Sequence, residues 1–512
     1  MKQNDIFFRP PWTCGKYNAD KHAAIMFNLL SNSEYFFEED SADVVGIVLR
    51  AGRNGIVSVN EISDELNIAP DSIASFFISL LECGLLTSSI PSEEFIHEYR
   101  KQCATIPNVT SYFGDNVNEY SQSDANPVET TYVNAVKDCT MINSVMFELT
   151  YRCSEKCLHC YNPGAIRNDK EKSSRGEIVE LSIDDYRRII DELCDAGLVT
   201  ASITGGDPFS NKDVWDILDY LYLKDIAVSI FTNGLALNNY IDRIASYYPR
   251  DVRISLYSAN AEEHDYITQV KGSWQKSVDV ISCLRKLSIP VRINCVVMRP
   301  CIKSFLDLKA FGEKYNCTVV FDVGVTDSID GDICATQNLR LTTEELEIVL
   351  MDRDVAERTD ENELYTTPTP TNSTPCLAGV GNYCITPDGI LIPCVAFRMK
   401  LGDLKKQSFL SIVRNNHLLN NWYNTKPSDY EECWTHDYCS YCNFCVGNNY
   451  REHGNIRKAS ENNCYIAKAR YKIALSLSMG VDISKESEIR SRIDSLPKYD
   501  YCVLHRQLKK GK

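Results

Sequence analysis

The chain has no surplus of positive charge: 54 Lys and Arg stand against 70 Asp and Glu, a net charge of −16 over 512 residues. A protein that covers nucleic-acid phosphates needs a basic face, so this balance argues against a general nucleic-acid binder. No apolar run approaches the ~20 residues that span a bilayer. The start, Met1 to Ile6, lacks the charged-then-apolar pattern of a secretion signal. These absences lead to the expectation of a cytoplasmic protein with no membrane partner. An even scatter of cysteine is missing too. Of 22 cysteines, three crowd into positions 153–160 and eight fall from Cys376 to Cys464. In a reducing compartment such clusters point to metal ligation rather than disulfides. Isolated cysteines such as Cys14, Cys83, Cys283, Cys295 and Cys317 read as small core residues.

The length allows several domains. Residues 1–90 read as a small module. His22–Leu30 and Glu34–Glu38 look like paired strands around a Ser-Asn-Ser turn. Helical periodicity follows at Ala42–Leu49, Val59–Leu66 and Pro70–Cys83, with Pro70 suited to a first turn. This is a winged-helix-like pattern, whose usual work is DNA binding. Its last helix, however, carries no Lys or Arg to meet a phosphate. Residues 91–140 read as a linker. Residues 141–330 alternate strand and helix. The strands are Val145–Thr150, Thr200–Thr204, Ala227–Thr232, Val252–Tyr257, Val291–Met298 and Thr318–Val323; helices include Ser182–Asp195, Asp213–Leu223 and Trp274–Leu287. Six such repeats predict a parallel α/β sheet. Residues 331–375 form an irregular insert with one helix, Thr343–Met351, and a Pro/Thr run, Thr366–Pro375. A cysteine-rich region, 376–475, and a helical tail, 476–512, complete the chain.

The densest chemistry lies just after the first of those six strands. Cys153, Cys157 and Cys160 are spaced Cys-x3-Cys-x2-Cys. Three thiolates on one loop can hold three irons of a cubane cluster and leave the fourth open, because soft sulfur suits iron–sulfur centres. A zinc knuckle is the simpler alternative for this spacing. The loop resembles that of the radical S-adenosylmethionine (radical SAM) enzymes, with His159 in the place of their aromatic residue before the last cysteine. The resemblance implies a partial (β/α)6 TIM-like barrel with its catalytic groups at the strand C-terminal ends. It also implies that the open iron chelates SAM, whose reductive cleavage gives methionine and a 5′-deoxyadenosyl radical. Gly205, Gly206, Asp207 and Pro208 follow the second strand and match the family's Gly-Gly-Glu-Pro motif, which holds the SAM amino group. Asp207 is one methylene shorter than the family's Glu. Asn233, Ser255, Asn294 and Val296 occupy strand-end positions where family members contact the ribose, carboxylate or adenine of SAM.

In the C-terminal region, Pro387, Asp388 and Gly389 form a turn between two apolar strands. The hairpin would bring Cys394 back toward Cys376. Beyond it lie Cys433, Cys439, Cys442 and Cys445, spaced x5, x2 and x2, and then Cys464. This array resembles the SPASM extension, an iron–sulfur domain that carries one or two auxiliary [4Fe–4S] clusters. Its second half departs from the family's Cys-x2-Cys-x5-Cys-x3-Cys and looks like the spacing of thioether-forming maturases of the subtilosin type. The departure leaves the partition of ligands open. Zinc is the alternative for this half, since Cys-x2-Cys pairs bind it equally well. The N-terminal module resembles the recognition element of ribosomally made peptide (RiPP) pathways, in which a leader peptide adds a strand to a sheet edge.

Together the resemblances imply a radical SAM maturase that forms Cys sulfur-to-carbon thioethers in a precursor peptide, fed by an electron donor such as ferredoxin or flavodoxin. Other outcomes of the same radical are a C–C or C–O crosslink, an epimerised residue, or a sulfatase-type formylglycine. A non-enzymatic alternative is an iron–sulfur electron carrier or regulator.

Overall fold

The structure, a computed structural model, describes residues 6–104, 142–162, 179–329, 334–356, 376, 378–414, 416–430, 432–480 and 485–499. The Pro/Thr run Thr366–Pro375 and the polar stretch 116–126 of the expected linker lie outside the described residues.

The N-terminal module holds five strands: β1 (Ile6–Phe8), β2 (Thr13–Asn18), β3 (Ala23–Asn28), β4 (Ser33–Glu38) and β5 (Ile56–Ser58). Strands β2, β3 and β4 form an antiparallel sheet in that order, and β1 pairs with β5 as a separate ribbon. The expected β3–β4 pair is present. Strand β2, with Gly15, Lys16 and Asn18, carries too little apolar alternation to be read from sequence. Three helices follow or interleave, Glu39–Arg50, Val59–Leu66 and Pro70–Glu82, the last with its proline in the first turn.

The expected linker proves helical where it begins, at Glu93–Ala104. Ile96, Tyr99 and Cys103 recur at helix spacing and pack on Trp12 and Leu30, which overrides a mostly charged sequence. This helix also holds the core: Arg100 donates to the Ala245 carbonyl at 3.1 Å. The module docks through a shared carboxylate as well, with Asp225 accepting from the buried Arg9 at 2.7 Å and from Arg53 at 3.1 Å. Arg250 pairs with Glu34 at 2.6 Å, and Cys14, Ile25, Phe27 and Leu29 pack on Val199 and Ala227.

The core strands are β6 (Ser144–Glu148), β7 (Thr200–Thr204), β8 (Ala227–Thr232), β9 (Asp251–Ser255), β10 (Val291–Val296) and β11 (Thr318–Asp322). All six are parallel and lie side by side in chain order. Val145, Phe147, Ile203, Ile230, Ile254 and Ile293 are fully buried within one large apolar core, as a parallel sheet covered by helices requires. The helix Ile183–Asp195 starts at the expected Ser182, which exchanges hydrogen bonds with Asp185 in a capping box. Val199, Ala227 and Arg250 all sit at the starts of strands, so the N-terminal module covers the end of the sheet opposite the cysteine loop.

The C-terminal region is joined to this sheet rather than set apart from it. Strands β12 (Asn382–Ile385), β13 (Ile390–Ile392) and β14 (Gly402–Asp403) extend it to nine strands, with β12 running parallel to β6. The expected hairpin turn is closed by Thr386 and Ile390 at 3.0 Å. The helices Glu461–Ser478 and Glu486–Ser495 contribute Ile473, Leu477, Ile489 and Ile493 to the same core as Leu346 and Leu350 of the insert helix Thr343–Leu350.

Candidate functional site

The cysteine loop leaves β6 and is clamped from two sides. Gly206 and Asp207 donate their backbone N–H groups to the carbonyls of Thr150 and Arg152 at 2.7 and 2.9 Å. Lys156 and Leu158 donate to the carbonyls of Thr268 and Ile267, each at 2.9 Å. The approach of the 205–206 turn is so close that only glycine fits. A Cβ on Gly205 would stand 2.2 Å from the Thr150 carbonyl oxygen, and one on Gly206 2.4 Å from that of Arg152. Gly205 also holds φ +138°.

Cys153, Cys157 and Cys160 are gathered within electrostatic reach of one another. Cys153 accepts from the Glu155 N–H at 3.4 Å and the Asn233 amide at 3.5 Å. Burial pushes the Cys153 thiol up to about 12 and raises Cys157 also. Buried thiols of this kind ionise only when a cation replaces the proton, which is what a metal ligand does.

The auxiliary cysteines separate into two groups. Cys433, Cys439, Cys442 and Cys464 act on one another electrostatically. Cys376, Cys394 and Cys445 do the same. The hairpin thus returns Cys394 to Cys376 as its turn suggested. Cys445 leaves its sequence neighbours and joins that pair, because it caps the helix Val446–His453, whose Val446 packs with Ala378 and Phe397. Cys384 is fully buried in β12 and faces Glu148 and Arg398 as well as Cys394. Among the described residues no three His, Cys, Asp or Glu side chains converge tightly enough to hold a single metal ion. The all-sulfur donor sets suit a cubane, in which each thiolate binds a different iron.

The expected SAM contacts are placed unequally. The Asp207 carboxylate is turned inward: it is 1% exposed and accepts from the Phe209 N–H at 3.2 Å and the Thr232 hydroxyl at 3.0 Å. Its short side chain braces β7 against β8, and the amides of Gly206 and Asp207 are engaged by the cysteine loop. Burial raises Asp207 to about 6. Because the folded value lies above the ordinary carboxylate range, its stabilising contribution is complete below that range and is lost as pH climbs through about 6. Asp207→Asn is therefore expected to stabilise the unloaded chain increasingly from pH 4 to pH 8, reaching about 3 kcal/mol, as read by urea melts at each pH. Asn233 is 5% exposed and donates to Ser154 Oγ at 3.2 Å, so it orders the cysteine loop. Ser255, Asn294 and Val296 are half-buried on adjacent strands, with Asn294 level with Ser255.

Two side chains were missed by the sequence reading. Glu155, inside the loop, is 3% exposed, and burial beside Asp207 and Asp265 raises it to about 8. Its Oε2 lies 3.4 Å from the Cys157 sulfur. Tyr257, just beyond β9, packs edge-on against His159 at 4.6 Å and stacks on the buried His264 at 5.6 Å. A Glu inside the cysteine spacing was visible in the sequence, whereas the Tyr257 contact needs the fold.

Comparison with known proteins agrees with this geometry. Residues 147–303 match the radical SAM superfamily, and residues 376–446 match the SPASM iron–sulfur cluster-binding domain. The subtilosin biosynthesis protein AlbA of Bacillus subtilis is 28% identical over 59% of this chain and 66% of its own length. The mycofactocin maturase MftC of Mycolicibacterium smegmatis is 30% identical over 34% of this chain and 42% of its own. The chain thus spans just under two thirds of the first relative and less than half of the second. The crystal structure of Streptococcus suis SuiB bound to the precursor peptide SuiA aligns with 90% of this chain and 99% of its own, at TM-score 0.53 and 17% identity, and shares the fold. SAM and a [4Fe–4S] cluster are the cofactors of such a core, and auxiliary iron–sulfur clusters those of the SPASM part. Residues 147–303 thus form a radical SAM domain and residues 376–446 a SPASM iron–sulfur cluster-binding domain.

Proposed function

We propose that this enzyme matures a ribosomally made peptide by joining a peptide cysteine sulfur to carbon. The observation that carries the reading is the division of the C-terminal cysteines into a group of four and a group of three. Four thiolates complete a cubane. Cys376, Cys394 and Cys445 are three among the described residues, and with Cys384 fully buried in β12 beside Glu148 and Arg398 the fourth position is left to a donor from elsewhere, for which a peptide thiolate is the matching chemistry. The spacing of Cys433, Cys439 and Cys442 resembles that of thioether-forming maturases, and relatives are a bacteriocin biosynthesis protein and a mycofactocin maturase by name.

When bound, the cluster and SAM supply a 5′-deoxyadenosyl radical able to take hydrogen from an unreactive carbon. Cys153, Cys157 and Cys160 hold that site. The glycine turn and Asn233 fix the loop's shape, and Ser255, Asn294 and Val296, at the strand ends, would meet SAM there. In the N-terminal module, β4 is an outer strand of its sheet. A leader peptide would add beside it by backbone hydrogen bonds. The core peptide would then pass around the barrel, because that module lies at the opposite end of the sheet.

The test is incubation of the reconstituted enzyme with reductant, SAM and a short cysteine-containing peptide encoded beside it. A mass loss of two hydrogens with one thiol no longer alkylatable supports the reading. An unchanged thiol beside a modified carbon overturns it. That second result would favour a carbon–carbon or carbon–oxygen link; a relative from Rhodopseudomonas palustris, 28% identical over 30% of this chain and 40% of its own length, is named PqqA peptide cyclase.

A further inference from the structure

Glu148 ends β6 and its carboxylate is fully buried. It is gripped by Arg398, four residues past Cys394, which donates from Nη1 to Oε1 at 3.0 Å and from Nη2 to Oε2 at 2.9 Å. The same Nη2 donates to the Tyr151 hydroxyl at 2.7 Å. Two phenols complete the cluster: Tyr151 donates to Glu148 Oε2 at 3.3 Å and Tyr161 to Oε1 at 3.4 Å. Tyr151 stands two residues before Cys153, and Tyr161 directly follows Cys160. Both ends of the cysteine loop are thus tied to one carboxylate, and that carboxylate is tied to the SPASM domain.

A buried ion pair is a poor device for stability alone, since desolvating both charges offsets most of their attraction and apolar groups of the same volume serve as well. Its value is orientation. A two-bond guanidinium–carboxylate fork fixes direction as well as distance. Burial opposes the Arg398 charge, and Glu148 more than restores it. Arg451 lies within electrostatic reach of Arg398, Tyr161 and Cys445. The cluster therefore joins the catalytic cysteine loop to the domain that carries the group of three.

We infer that Arg398 is a positioning residue: through Glu148, Tyr151 and Tyr161 it sets the shape of the catalytic cysteine loop, so that SAM binding in the core depends on a side chain from the auxiliary domain. This holds whatever peptide is modified.

The experiment compares the full reconstituted chain with Arg398→Met and with Glu148→Leu/Arg398→Met, measuring the melting midpoint, iron content, SAM affinity by equilibrium dialysis and the SAM-induced change in the reduced cluster's electron paramagnetic resonance signal. The single variant leaves Glu148 buried and unpaired and should melt lower. The double variant removes both charges and should regain the midpoint with full iron. It should still bind SAM at least tenfold more weakly, with a diminished spectral change. Wild-type SAM affinity and spectrum in the double variant would overturn the inference. Should that variant fail to fold, Tyr151→Phe/Tyr161→Phe keeps the packing and removes only the two hydroxyl ties. Weakened SAM binding there supports positioning, and unchanged binding overturns it.

Discussion

Replacing Cys153, Cys157 and Cys160 together by alanine is expected to abolish reductive SAM cleavage while leaving the C-terminal iron in place. The three thiols share one loop whose clamp is made by backbone groups of residues 149–158, so the substitutions delete donors without dismantling that clamp. Iron content should fall by about four per chain, one cubane's worth. 5′-Deoxyadenosine formation should drop to the uncatalysed level, roughly a millionfold or more. The converse variant, Cys433→Ala/Cys439→Ala/Cys442→Ala, should also lose about four irons and keep SAM cleavage. The two patterns differ because the two sites share no cysteine. Iron analysis and chromatography of the SAM products measure both.

The second large effect is expected at Gly205. Alanine there meets two separate penalties. Its backbone sits at φ +138°, and its Cβ would lie 2.2 Å from the Thr150 carbonyl oxygen and 3.1 Å from the Thr150 nitrogen. These are backbone atoms of the loop that carries the cysteines, so relief requires moving the loop. Left-handed strain and overpacking together cost about 2–5 kcal/mol. Gly272 is the internal control: it holds φ +81° but nothing stands within 4 Å of a Cβ. Gly272→Ala should therefore cost only the strain, about 1–2 kcal/mol. Urea melts supply the two values, and SAM affinity should fall with Gly205→Ala alone. Equal costs at the two glycines would mean that the loop yields freely, contrary to the clamp described.

The core was readable because its physics is local. Thr200–Thr204 and Ala227–Thr232 are short runs that stop at Gly205 and at Asn233-Gly234, and their expected bounds match the observed strands. The cysteine loop and the glycine turn were readable because spacing alone states their chemistry. What escaped depends on partners far along the chain. The helix Glu93–Ala104 reads as charged linker until Trp12 and Leu30 lie against it. The Glu148–Arg398 fork joins residues 250 apart. Cys445 parts from Cys442 for a reason found only in the packing of the helix it caps. The inward turn of Asp207 follows from Thr232 on the next strand, which no motif records.

The radical made at the cysteine loop is expected to act on the carbon that accepts a peptide cysteine's sulfur. The most direct measurement uses the adjacent cysteine-containing peptide deuterated at the carbons that accept sulfur. Deuterium should appear in 5′-deoxyadenosine, in step with loss of one alkylatable thiol and two hydrogens' mass from the peptide. Deoxyadenosine free of deuterium, formed while the peptide keeps its thiols, would contradict the account.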